Sequence, residues 1–181
     1  FQQYIQSLIN AKMLEVCSTS LPQFAIPSVF GDERYQDHLD RRRKIFEERA
    51  NEAYEIFSSV EGIHVTRPQG SFYMSVLFEE GTLNDQQSLE IAEPEIRDYV
   101  RDIVNEVEVD KRFVYYLLGA TGICVVPLTG FFSNRNGFRV TLLETDDALR
   151  RWTWHTIADS IRKYRQSERS GEVITQPIHT V

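Results

Sequence analysis

Between Gly122 and Glu144 the chain reads GICVVPLTGFFSNRNGFRVTLLE, two apolar, β-branched runs around a loop of Gly, Ser and Asn. The runs Ile123–Val126 and Phe138–Leu143 fit two strands with a crossing between them. The second run holds one charge. Strand alternation puts Phe138, Val140 and Leu142 on one face and Arg139, Thr141 and Leu143 on the other. A buried, unpaired charge is costly, so Arg139 must reach water at an edge, pair with a carboxylate of the chain, or meet a ligand anion. Residue pattern by itself favours the first two outcomes. The third would use the planar guanidinium, which grips a carboxylate through two parallel hydrogen bonds.

A length of 181 residues, 41% hydrophobic and 26% charged, suits one soluble domain or one domain plus part of another. The net charge of −7 argues against nucleic acid, which demands a basic surface. That charge is concentrated: residues 79–110 carry eleven acidic and two basic side chains. Cys17 and Cys124 lack metal-ligand spacing, so the expectation is buried thiols in a reducing compartment and no metal site. No signal peptide and no apolar run of membrane-spanning length is readable, which points to the cytoplasm and away from a membrane. The chain opens at Phe1 within an amphipathic segment, the expectation for a piece of a longer protein.

Periodicity supplies the helices. Phe1, Tyr4, Ile5, Leu8, Ile9 and Met13 form one stripe that needs a partner surface. Ser20 followed by Gln23 fits a capping box opening a second helix, in which Pro27 should force a break or kink. Asp32 can cap a long helix whose buried face is Leu39, Phe46, Ala50, Ala53 and Phe57; Arg41–Lys44 read as its solvated face. Ile63–Thr66 and Ser71–Phe78 read as strands around a Pro68–Gly70 turn, with His64 a surface or core histidine. Residues 79–92 read as a loop. Pro94 then starts a helix with the stripe Ile96, Tyr99, Val100, Ile103, Val104 and Val107. Asp110 caps a short helix burying Val114, Leu117 and Leu118 up to Gly122, and Thr145 caps a last helix packing Leu149, Trp152, Ile157, Ile161 and Tyr164, with Trp152 and Trp154 both read as core anchors. Residues 166–181 read as a mobile polar tail.

Three motifs in order, Pro68–Tyr73, Thr121–Pro127 (TGICVVP, shortly after Leu117-Leu118) and Gly137–Leu142 (GFRVTL), resemble the C-terminal part of class I/II aminotransferases, the pyridoxal-phosphate (PLP) enzymes related to aspartate and alanine aminotransferase. The resemblance covers most of residues 4–165 and implies an α/β fold. Its small, mostly antiparallel sheet would be covered by helices, with N-terminal helices left from the larger PLP domain. It implies residues 1–38 as the end of that domain and the start of a linking helix, 39–165 as the small domain, and 166–181 as a tail. It also implies amino acid and 2-oxo acid substrates, and a homodimeric parent protein. In the family, the arginine of the final strand binds the substrate α-carboxylate; the match falls on Arg139. The small polar stretch with Ser18 and Ser20 matches one near the cofactor phosphate, although helix capping explains these serines equally well.

Transamination also needs a Schiff-base lysine, an acid at the pyridine nitrogen and donors for the phosphate. Lys12, Lys44, Lys111 and Lys163 all lie in helical or helix-start contexts, and none has the family's Ser-x-x-Lys setting. The expectation is a parent aminotransferase whose catalytic lysine lies upstream, and a chain that is catalytically silent alone. The alternatives are a PLP-dependent lyase of the same architecture and a non-catalytic ligand-sensing or dimerisation module.

Overall fold

The computed structural model describes residues 1–14 and 20–167. Helices α1 (Gln2–Met13), α2 (Ser20–Phe30) and α3 (Arg34–Ser58) precede strands β1 (Ile63–Val65) and β2 (Tyr73–Phe78). Helices α4 (Pro94–Ile103) and α5 (Val109–Thr121), strands β3 (Val126–Pro127) and β4 (Gly137–Thr141), and helix α6 (Asp147–Gln166) complete the expected order. The chain divides into two compact units at Lys44/Ile45, within α3.

In the first unit, α1 and α2 bury none of their residues, and Phe1, Tyr4, Leu8, Leu21, Phe24 and Phe30 are exposed. Pro27 does not end α2, which runs through it to Phe30; the Gly31 amide still bonds to the Pro27 carbonyl at 2.9 Å. A proline inside a helix forfeits its own N–H bond and crowds the carbonyl four residues back, but the turns after it can still close. Asp32 accepts the Arg34 amide at 2.8 Å and so serves the start of α3 as expected.

The second unit is a four-stranded antiparallel sheet in the order β1-β2-β4-β3 with helices against one face. Register places Met74 opposite Val140 and Val76 opposite Phe138. These side chains, with Ile63, Val65 and Phe78, join the core of α3, α5 and α6. Phe78, Phe113, Phe138 and Tyr164 form its aromatic centre, with ring centroids 5.2–5.8 Å apart. Each fully buried side chain of this size contributes on the order of 2–3 kcal/mol. The opposite face carries Tyr73, Ser75, Arg139, Thr141 and Val126, because partners in an antiparallel register share a face.

Several expectations are corrected. The strand expected over Ile123–Val126 shrinks to Val126–Pro127, and Cys124 is exposed rather than buried. Thr145 does not cap α6. The Asp146 carboxylate does, accepting the Ala148 and Leu149 amides at 2.9 and 3.0 Å. Trp154, not Trp152, is the core tryptophan of α6; Trp152 and Leu149 are exposed. Leu39, Ile96, Tyr99 and Leu118 likewise sit outside the core. Glu108 rather than Asp110 occupies the cap position of α5, and Asp110 is buried one residue inside the helix. Just after the Pro68–Gly70 turn, Ser71 has a positive φ of 66°. The expected tail lies outside the described residues from 168 onward, as do Cys17 and Ser18.

Candidate carboxylate-binding site

Arg139 stands at the middle of β4, an interior strand, opposite Ser75 of β2 and Val126 of β3. It cannot reach water sideways as an edge residue would. Its guanidinium carbon lies 4.2 Å from the Tyr73 ring centroid and 4.1 Å from that of Phe131, so two aromatic rings pack against the fork. Such contacts hold the cation in place while leaving the in-plane N–H groups free for a planar acceptor. Among the described residues no carboxylate pairs with Arg139, and its buried Nε has no hydrogen-bond partner. A half-buried guanidinium in this state has N–H groups that an anion can accept from.

The rings are themselves set by the backbone. Phe72 stacks on Tyr73 with centroids 4.4 Å apart, and Phe46 of α3 lies 6.4 Å from Phe72. Ser71, in the left-handed region that a non-glycine residue adopts at a cost, turns the chain into this aromatic pair. Phe131 ends the 3-10 turn Leu128–Phe131, and Phe132 follows with φ 59° and its ring fully exposed. The far end of β4 is fixed by the buried Arg49, which donates from Nη1 to the Leu142 carbonyl at 2.9 Å and the Leu143 carbonyl at 3.3 Å. Gly137, at the near end, has no room for a side chain, since a Cβ there would sit 2.3 Å from the Val76 carbonyl oxygen.

The family model for aminotransferase class I and II matches residues 2–152. This chain belongs to that family. It is 44% identical over 164 residues to an uncharacterized aminotransferase of Methanocaldococcus jannaschii, covering 91% of this chain and 38% of that protein. It is 31% identical to an inactive alanine aminotransferase of Saccharomyces cerevisiae, over 72% of this chain and 24% of that protein. The fold matches a multiple substrate aminotransferase from Thermococcus profundus with a TM-score of 0.62 at 15% identity, over 87% of this chain and 34% of that one. An aspartate aminotransferase from Rhizobium meliloti matches at a TM-score of 0.52 and 22% identity, over 71% of this chain and 28% of that one. The aminotransferase chain thus spans well under half the length of the relatives it matches.

Of the residues singled out in the sequence, Arg139 belongs to the second unit and Ser20 to the first, where Ser20 opens α2 and is exposed. Ser18 lies outside the described residues. Of the lysines, Lys111 is held in an ion pair in the first turn of α5. Lys111 donates to Glu108 at 2.7 Å, and this hydrogen bond raises its pKa, the opposite of what an amine needs to act as a nucleophile. Phe131 and Thr129 carried no role in the sequence, and Asp110 read there only as a helix cap. The only advance sign of Phe131 was an apolar Phe-Phe pair within a loop otherwise made of Gly, Ser and Asn.

Proposed function

We propose that this chain is the small domain of a PLP-dependent aminotransferase and that Arg139 grips the α-carboxylate of the substrate. The observation that carries this reading is the half-buried guanidinium of Arg139, packed against Tyr73 and Phe131 without a carboxylate partner among the described residues. Two parallel hydrogen bonds to a carboxylate fix its plane as well as its position, and orientation is a large part of what such a site contributes. The substrates of this reading are an amino acid and a 2-oxo acid, which share the α-carboxylate and the clamp. The T-G-I-C-V-V-P run at Thr121–Pro127 inclines the substrate class toward alanine or aspartate. In this reading residues 1–38 close the PLP domain and begin the linking helix, and 39–165 form the small domain. The division of the chain at Lys44/Ile45 within α3 supports that arrangement. The parent protein is a cytoplasmic homodimer in this reading. Among the described residues, no helix is long and apolar enough to cross a membrane. Ser18 and Ser20 would lie near the cofactor phosphate, and the lysine that holds the cofactor would come from outside the 181 residues, leaving the isolated chain silent.

Arg139→Lys in the parent protein tests the assignment. Lysine keeps the charge but loses the fork, so KM should rise strongly, on the order of tenfold or more, for amino and oxo acid alike. An unchanged KM removes Arg139 from the site. A second reading, a module that kept the fold without the chemistry, draws on the similarity to the yeast protein named inactive. Transamination by the parent protein eliminates it. Appearance of an eliminated group instead of an oxo acid would identify a lyase.

A further inference from the structure

We propose that Asp110 is the positioning residue that assembles the Arg139 clamp, an inference that rests on the carboxylate-binding reading above. Asp110 sits in the first turn of α5 and is 0% exposed, yet no cation pairs with it among the described residues. Its carboxylate is satisfied by two separate segments. Oδ1 accepts the Thr129 hydroxyl at 2.7 Å, while Oδ2 accepts the Thr129 amide at 3.1 Å and the Gly137 amide at 3.4 Å. A buried carboxylate without a counter-ion is a poor way to stabilise a core, and an apolar side chain of similar size would serve α5 at least as well. What the apolar residue could not do is hold two pieces of backbone to one oxygen.

Those two pieces are the ones that make the clamp. Thr129 lies two residues before Phe131, and Gly137 lies two residues before Arg139. The Phe131 ring and the Arg139 guanidinium carbon meet at 4.1 Å. One carboxylate oxygen thus sets the distance between the turn that carries the aromatic cover and the strand that carries the cation. Release of that oxygen lets the Leu128–Phe131 turn drift from β4, uncovers one face of the guanidinium and loosens the fork before any ligand arrives. The loss falls on binding, because Asp110 itself touches neither ligand nor reacting atoms.

Asp110→Ala in the parent protein should raise KM for amino acid and oxo acid about tenfold and leave kcat within about threefold. Asp110→Asn should restore KM to within about twofold, because its amide oxygen can accept both backbone N–H groups while its NH₂ donates to the Thr129 hydroxyl. Amide hydrogen exchange supplies a readout independent of turnover: Gly137 and Thr129 should lose protection in Asp110→Ala and keep it in Asp110→Asn. Should the alanine variant not fold, Thr129→Val removes the hydroxyl bond alone and should raise KM about threefold, with Thr129→Ser restoring it. Unchanged KM in these variants overturns the inference, as does a fall in kcat at constant KM, or an Asp110→Asn variant as impaired as Asp110→Ala. Arg139→Lys run alongside separates the two claims. If it raises KM while the Asp110 and Thr129 variants do not, the positioning role alone fails; if it too leaves KM unchanged, the carboxylate-binding reading fails with it.

Discussion

Removal of the Phe131 ring should weaken substrate binding without unfolding the protein. The ring lies 4.1 Å from the guanidinium carbon of Arg139, and the Tyr73 ring packs on the same cation at 4.2 Å. Phe131→Ala leaves one face of the cation to water. A ring in this position is worth about 0.5–1 kcal/mol to a partly exposed cation. An arginine released from it regains rotamer freedom that carboxylate binding must then offset, about 0.5–1.5 kcal/mol. Part of the ring contact is also present without ligand, so the two effects overlap and the net loss in binding is about 1–1.4 kcal/mol. That corresponds to about a five- to tenfold rise in KM for both substrate classes. Phe131 is 46% exposed, so its truncation should cost less than about 1 kcal/mol of stability. Steady-state kinetics of the parent protein, with urea unfolding as control, read both quantities. Phe131→Tyr keeps a ring and should behave as the unaltered protein, while Phe131→Leu keeps apolar cover without the π face and should fall between. A KM within twofold of the unaltered value in Phe131→Ala, measured in a protein where Arg139→Lys does raise KM, would show that the aromatic cover plays no part in holding the cation.

Two further outcomes follow from the packing of the second unit. Gly137→Ala forces a methyl group to within 2.3 Å of the Val76 carbonyl oxygen, so β2 and β4 must separate. Urea unfolding should show a loss of about 2 kcal/mol or more, and a loss below about 0.5 kcal/mol would mean the strands yield freely. Burial by itself would raise the Glu52 carboxyl, but hydrogen bonds from Arg151 and Arg150 outweigh it and hold the pKa below the usual range. A lowered pKa in the folded state adds stability above the unfolded carboxyl value and loses it as pH falls through the folded one. Glu52→Gln should therefore destabilise by about 1 kcal/mol at pH 7, with the difference fading below about pH 4; a difference undiminished in acid contradicts the ion-pair account.

Element order was legible because each helix and strand carries its own period. Val100 on α4 and Val104 just after it, Ala50, Ala53 and Phe57 on α3, and Val76 and Phe78 on β2 are buried as their spacing predicts. Periodicity names a stripe but not its edges. On α6 the expected stripe holds at Ile157, Ile161 and Tyr164, but its N-terminal end shifts from Leu149 and Trp152, which are exposed, to the buried Trp154. The cap of α6 went to Asp146 rather than Thr145 for a similar reason: both residue types can accept the amides, and sequence alone leaves the register of the first turn open.

The clamp shows where reading from sequence stops. Arg139 was legible as a charge that needed an explanation, since strand alternation and desolvation cost are properties of the local run. Its explanation lies in residues 66 positions upstream, at Tyr73, and eight positions upstream, at Phe131, which no period connects to β4. Asp110 was harder still. An acid two residues into a helix has a sufficient local account in the helix dipole, and that account hides a different role. The structure separates the two because a dipole-stabilising acid remains at the surface, whereas Asp110 is sealed from solvent and spends both oxygens on Thr129 and Gly137. A buried carboxylate that bonds two distant backbone segments carries information about a third object, the surface those segments jointly form, and here that surface is the aromatic slot around Arg139.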